Sequence, residues 1–237
     1  MKRAVPAALL GAALASFVPA SWAQGQLQVA PTLVELAPGA TAGRMTVTNT
    51  GDAPIAAQVR VFAWSQAEGE DRMAATNDVA ISPAIMQIAP GASQVVRLVR
   101  EGPAPQSRDG SYRLVVDELP TPGETAQTGI QLRLRFVVPV YLRAAKAAPP
   151  VLQCQVHAAF LACSNGGGQA AQLGASRLID GHGHAMPLTP GLFGYVLPAS
   201  ERHWTLDTAA LARLDGELQL ETRLNGQPLS IAVGRAP

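Results

Sequence analysis

The sequence predicts an all-β protein of two immunoglobulin-like β-sandwich domains joined by a short linker. Three observations lead there. Apolar and polar residues alternate with period two over short runs, each bounded by Gly, Pro, Asn or Asp. No sustained helical period appears after residue 23. A stretch with two prolines and no apolar period, Ala144 to Pro150, separates one set of alternating runs from another. A length of 237 residues suits one or two domains.

The segments follow in order. Lys2 and Arg3 precede an uncharged apolar run from Ala4 to Val18, and Ser21-Trp22-Ala23 places small residues where signal peptidase cuts. Residues 1–23 are expected to be a cleaved secretory signal. The run is too short for a bilayer core of about 30 Å, and no later run is longer, so no stable membrane insertion is expected. The first domain, 24–143, opens with extended residues Gln26 to Leu36, interrupted at Pro31. Strands are expected at Arg44 to Asn49, Ile55 to Trp64, Ile81 to Ile88, Gln94 to Val99, Ser111 to Glu118 and, longest, Ile130 to Leu142. Ser65 to Asn77 is polar and reads as a loop, as does Pro120 to Thr128. About seven strands in this space suit an immunoglobulin-like sandwich.

After the linker at 144–150 comes a second sandwich, 151–237. Its strands are expected at Val151 to His157, Phe160 to Ser164, Ala171 to Ile179, Gly194 to Leu197, His203 to Leu206, Glu217 to Arg223 and Leu229 to Val233. Ala209 to Leu214 reads as a helical turn. Cys154 and Cys163 are the only cysteines, nine residues apart with a turn between them. An exported chain meets oxidising conditions, so they are expected to form a disulfide between adjacent antiparallel strands.

The chemistry expected is binding rather than catalysis. A net charge of +1, becoming −1 once Lys2 and Arg3 leave, argues against a nucleic-acid partner. Gly-x-Ser-x-Gly, His-Glu-x-x-His, phosphate-binding glycine loops and Cys-x-x-Cys are all missing. No enzyme activity and no cofactor are expected. Asp180-Gly-His182-Gly-His184 is the one pattern near a metal site, because His-x-His on a strand points both rings to one face. Its glycines read instead as a turn, and no metal is expected there. Hydrophobic residues make up 48% and charged ones 15%. Ordinary domains carry about a quarter charged residues, so apolar surface is expected beyond what the cores need. The segment Gly129 to Pro139 alternates most clearly, and its pattern fits equally a face turned to the chain's own core and one turned to a partner. Ile130, Leu132, Leu134 and Phe136 share one strand face, with Gln131, Arg133 and Arg135 on the other.

Several motifs, in order, resemble the PapD-like periplasmic pilus chaperones. They are Met45-Thr-Val-Thr-Asn49 followed by Val59-Arg-Val-Phe-Ala-Trp64; Ser82-Pro83, then Ile88-Ala-Pro-Gly91, then Gln94-Val-Val-Arg97-Leu98; and Tyr112 through Glu118-Leu-Pro120. Cys163-Ser-Asn165-Gly-Gly, Tyr195-Val-Leu-Pro198 and Trp204 fit the second domain, and Pro139-Val-Tyr-Leu-Arg143 resembles the archaic, Csu-type subclass. The resemblance implies a periplasmic chaperone that binds pilus subunits by donor-strand complementation and delivers them to an outer-membrane usher. In that mechanism an edge strand of the chaperone fills the open groove of a subunit. The resemblance places that strand at Ile130, Leu132, Leu134 and Phe136, whose burial contributes about 6–12 kcal/mol before ordering costs. Arg133 and Arg135 would guard the exposed edge against aggregation. The family anchors the subunit's terminal carboxylate with an Arg and a Lys, but Leu33 and Pro139 occupy those places here. Arg97, Arg113 and Arg143 are the candidate substitutes. Glu118 and Arg143 match members of the family's interdomain ion pairing and are expected to pair. The alternatives are a secreted sandwich acting as a structural or adhesive fibre component and, more remotely, a periplasmic metal-binding module using His182 and His184.

Overall fold

The structure is a computed structural model and describes residues 27–120 and 132–236. The expected signal segment 1–23, its cleavage site and Ile130 lie outside the described residues.

The strands of the first domain are β1 (Leu27–Ala30), β2 (Val34–Leu36), β3 (Ala42–Asn49), β4 (Ile55–Ala67), β5 (Glu70–Ala75), β6 (Val79–Ser82), β7 (Ile85–Ile88), β8 (Ser93–Arg100), β9 (Gly110–Leu119) and β10 (Arg135–Leu142). They form a four-stranded sheet in the order β1-β3-β8-β6 and a six-stranded sheet in the order β2-β10-β9-β4-β5, with β7 beside β4. One apolar cluster joins the two layers. Met45, Val47, Val96 and Leu98 come from the first sheet, and Val59, Leu114, Val116 and Val140 from the second. The chain crosses between sheets at Pro31, between β1 and β2, and at Pro83, between β6 and β7. A proline cannot donate to a ladder, so each is a natural break in pairing. That is why Ile81 to Ile88, expected as one strand, is two.

The second domain holds β11 (Leu152–Val156), β12 (Phe160–Asn165), β13 (Ala171–Leu173), β14 (Ser176–Asp180), β15 (Ala185–Thr189), β16 (Gly194–Val196), β17 (Ser200–Thr205), a short helix α1 (Thr208–Leu211), β18 (Leu218–Leu224) and β19 (Gln227–Arg235). Its sheet runs β15-β14-β18-β19-β11-β12-β17, with β13 bonded to β16 and β18. Cys154 of β11 and Cys163 of β12 stand directly opposite in an antiparallel pair and form a disulfide. Asp207 caps α1 by accepting from the backbone N–H of Ala209 and Ala210.

The polar stretch expected as a loop, Ser65 to Asn77, is a hairpin of β4 and β5. Its strand β5 is exposed throughout, so no alternation marks it. Glu68 and Gly69 both take positive φ at the turn. The tip docks on the second domain: Gly69 O accepts from His203 N at 2.9 Å, and Glu70 pairs with Arg202 at 2.9 Å. A Cβ on Gly69 would lie 2.2 Å from the His203 ring, so this approach requires glycine. Behind the tip, Gln66 donates to Tyr195 O at 2.8 Å and accepts from Leu197 N at 2.9 Å. At the other end of the domain junction, Asp109 N donates to Gly168 O at 2.8 Å and Gly168 N to Ala148 O at 3.0 Å. Between these ends, Trp64, Tyr141, Ala170 and Leu197 form a third apolar cluster, with Leu33 and Tyr195 against it.

Candidate functional site: a free strand edge and an interdomain cleft

On one side β10 pairs with β9 along its whole length, Arg135 to Leu142. On the other side β2 covers only Val140 to Leu142. Among the described residues, the edge from Arg135 to Pro139 therefore has no partner strand. Glu118 N donates to Leu134 O at 3.0 Å, which fixes the ladder's parity. Even-numbered residues bond toward β9, and the N–H and C=O of Arg135 and Val137 point out to the free edge. Pro139 is buried but has the same backbone parity, so its missing N–H removes no bond from the β9 ladder.

The same parity sets the side chains. Val138, Val140 and Leu142 are buried in the first core. Phe136 and Leu134 are partly buried against it, and Leu132 is 75% exposed. Of the four expected groove-filling residues, Leu134 and Phe136 thus lie on the core-facing side, Leu132 precedes the strand and stands exposed, and Ile130 is outside the described residues. The strand itself begins at Arg135, not at Ile130 or Gln131 as the alternation suggests. Leu134 N is taken by the Glu118 carboxylate at 3.1 Å, so the ladder ends there. Arg135 lies on the opposite face, ion-paired to Asp117, which also holds Arg60 at 2.6 Å. Burial works against the Asp117 charge, but the two guanidiniums outweigh it and hold the carboxyl below its ordinary range.

Next to this edge lies a cleft between the domains, lined in part by Val137 and Pro139 of β10 and by Phe193, Tyr195 and Trp204 of the second domain. Arg113 of β9 stands directly across from Pro139. Its guanidinium lies 3.4 Å from the Trp64 ring centroid and 4.9 Å from that of Tyr195. Burial pulls its pKa below the ordinary value, an effect partly offset by Tyr141, Tyr195 and Asp71. Among the described residues it has no carboxylate within ion-pair distance. Of the three arginines singled out in the sequence, only Arg113 is in this cleft. Arg97 lies in β8, opposite Arg44, in the sheet that lacks β10. Leu33 packs on the Trp64–Tyr141 cluster.

The expected Glu118–Arg143 pair does not form. Glu118 sits at one end of β9, level with Leu134, while Arg143 follows Leu142, which is level with Gly110 at the other end. Eight residues of strand, about 26 Å, separate the two levels. Arg143 instead pairs with Asp109 and Glu35. Burial opposes its charge, but these two carboxylates raise its pKa. Neither partner was legible from the sequence, because they lie 34 and 108 positions away.

His182 and His184 occupy a turn after β14, not a strand, with ring centroids 6.2 Å apart. Asp180 accepts from the backbone N–H of His182, His184 and Asp215 and from His184 Nδ1 at 2.9 Å. Among the described residues, no three His, Cys, Asp or Glu side chains are grouped to hold a metal ion. Burial opposes ionisation of Asp180, but the His184 ring and the backbone donors outweigh it and hold the carboxyl far below its ordinary pKa. A depressed pKa stabilises the fold above the unfolded carboxyl value of about 4 and loses that effect as pH falls below it. Asp180→Asn is therefore expected to flatten the loss of stability between about pH 5 and pH 2, as read by urea unfolding at each pH.

A two-domain sandwich protein presenting, among the described residues, an unpaired strand edge beside a cleft that holds Arg113 is the class these features define. Residues 26–147, more than half of the chain, match the family described as pili and flagellar-assembly chaperone, PapD N-terminal domain, and the chain belongs to that family. No curated protein matches the chain. Among solved structures it is similar to a chain of the CsuC–CsuE chaperone–tip adhesion subunit pre-assembly complex from archaic Csu pili of Acinetobacter baumannii. That likeness has 21% identity and a TM-score of 0.71 and covers 90% of this chain and all of that one. It is also similar to a chain of the Salmonella enterica SafA pilin–SafB chaperone complex, with 16% identity, a TM-score of 0.64 and 87% and 95% of the two chains covered. The Escherichia coli chaperone DraB matches with 19% identity and a TM-score of 0.61, over 89% and 96% of the two chains. These likenesses show the shared two-domain fold.

Proposed function

We propose that this protein is a periplasmic, non-enzymatic chaperone that binds pilus subunits by donor-strand complementation and passes them to an outer-membrane usher. In this reading residues 1–23 are removed on export, and 24–143, 144–150 and 151–237 are the first domain, the linker and the second domain. The observation that carries the proposal is the edge of β10, which has no partner strand from Arg135 to Pro139 among the described residues and is continued by the exposed Leu132. A subunit strand pairs with the outward backbone groups of Arg135 and Val137, while Leu132, Leu134, Phe136 and Ile130 fill its groove. Arg113 receives the subunit's terminal carboxylate, supplying across the strand pair the cation that Pro139 cannot. Family membership and the shared fold support the class of activity; the edge and the cleft support the residues.

The test is co-expression with a cognate pilus subunit. A one-to-one complex is expected to co-purify, and Arg113→Gln is expected to lower its yield at least about tenfold, because a charge-assisted contact contributes about 1.5–3 kcal/mol. Failure of the subunit to co-purify, or polymerisation of this chain by itself into fibres, would overturn the chaperone reading.

A further inference from the structure

The cleft that holds Arg113 encloses about 640 Å³. Most of its polar groups already have partners. Asp71 accepts from Trp64 Nε1 at 3.0 Å and Gln66 Nε2 at 2.8 Å. Arg202 is held by Glu70 and by the carbonyls of Gly69 and His203. Gln172 reaches the Tyr195 hydroxyl at 3.4 Å. Arg113 has aromatic rings on its faces and feels Asp71 and the Tyr195 hydroxyl, but among the described residues no carboxylate comes within ion-pair distance of it. The remaining walls are apolar and open: Met73, Val137 and Leu192 are 55%, 44% and 56% exposed. Behind them Phe193 stacks on Trp204 at 4.5 Å, with Trp204 Nε1 donating to Phe193 O at 3.1 Å. A Cβ on Gly194 would lie 2.9 Å from Trp204 Nε1, so glycine is what lets this ring pair close against its own backbone.

A ligand that suits such a cleft carries one negative charge directly beside a large apolar group. We propose that the cleft selects partners by their last residue. It takes a chain whose α-carboxylate meets Arg113 and whose terminal side chain is large and apolar, lying against Leu192, Met73 and the Phe193–Trp204 pair. This rests on the reading that the cleft receives a subunit's C-terminus, and adds to it a side-chain specificity. The pocket is continuous with the free edge, since Val137 belongs to both. A partner whose strand follows that edge and ends level with Val137 and Pro139 therefore places its terminus at the cleft.

Three N-acetylated hexapeptides, identical except at the end, test the proposal by titration against the full mature chain. They end in Phe, in Ala and in Phe amide. Trp64 and Trp204 line the cleft and give the fluorescence signal. The Phe acid is expected to bind at least about tenfold more tightly than the Ala acid, as hydrophobic pockets discriminate. In the double variant Met73→Gln/Leu192→Gln, both exposed positions whose change leaves the cores intact, that ratio is expected to fall to within about twofold. Equal binding of the Phe and Ala acids overturns the side-chain specificity, as does a ratio unchanged in the double variant. If the acids bind alike but more tightly than the amide, only this inference falls and the carboxylate role of Arg113 stands. If the Phe acid and its amide bind equally, or if none of the three saturates, both fall.

Discussion

Leu132→Asp is expected to abolish recovery of the subunit complex while leaving the free protein as stable as before. Leu132 is 75% exposed and no part of either core, so its loss removes no packing from the chain itself. In a subunit groove the same side chain contributes about 1.5–3 kcal/mol by burial. A carboxylate forced into that groove adds a desolvation cost of its own. With each 1.4 kcal/mol worth a factor of ten, the affinity is expected to fall by at least about a hundredfold. Co-purification yield reads the first effect and thermal unfolding the second. Leu134→Asp makes a useful contrast. Leu134 packs partly against the first core, so this variant is expected to lose both complex and melting temperature. An unchanged complex yield with Leu132→Asp would remove the strand from the mechanism.

Asp109→Ala is expected to produce the largest change in the stability of the free protein, about 3 kcal/mol, the lower end for breaking a buried ion pair. The Asp109 side chain has no exposed surface; it pairs with Arg143 and accepts from Ala144 N at 2.9 Å. Its loss strands a guanidinium that is itself only 27% exposed, at the point where the chain leaves the first domain. Arg143 keeps its other partner, Glu35, which is why the effect stays at the low end. Glu35→Ala, removing the half-exposed member, is expected to cost less than about 1 kcal/mol. Guanidinium chloride unfolding of the two variants separates the cases, and equal losses would contradict this account of the junction.

The legible parts of the fold were those where burial imposes alternation. Met45, Val47, Val59, Val61, Val96 and Leu98 repeat with period two because one face meets the core, and their strands are present. The β5 strand, Glu70–Ala75, has no buried residue, so nothing in its sequence distinguishes it from a loop. Its existence follows from pairing with β4 and from the docking of its turn. The apolar run from Ile130 onward was equally legible as a pattern. Its burial gradient was not, because the sequence is silent on where β9 stops covering it. The site divided the same way. The apolar alternation of Leu132, Leu134 and Phe136 is visible in the sequence, whereas the placement of Arg113 in the cleft, of Arg97 in the other sheet and of Arg143 on Asp109 and Glu35 depends on pairing between residues far apart in sequence. The Glu118–Arg143 pairing failed for that reason: two residues matched by motif lie at opposite ends of one strand.

The bonds at both ends of the domain junction have a consequence for how tightly a partner can be held. Gly69 and Gln66 fix one end, and Asp109 and Gly168 the other. The free edge and the cleft are therefore carried on what is mechanically one body. A partner that touches both does not bind one site and then wait for a flexible tether to bring up the other. The second contact forms at an effective concentration set by a fixed geometry, and the loss of freedom that would oppose it has already occurred in folding. Two contacts that are modest when separate can then act as one strong grip, provided that the partner matches their spacing.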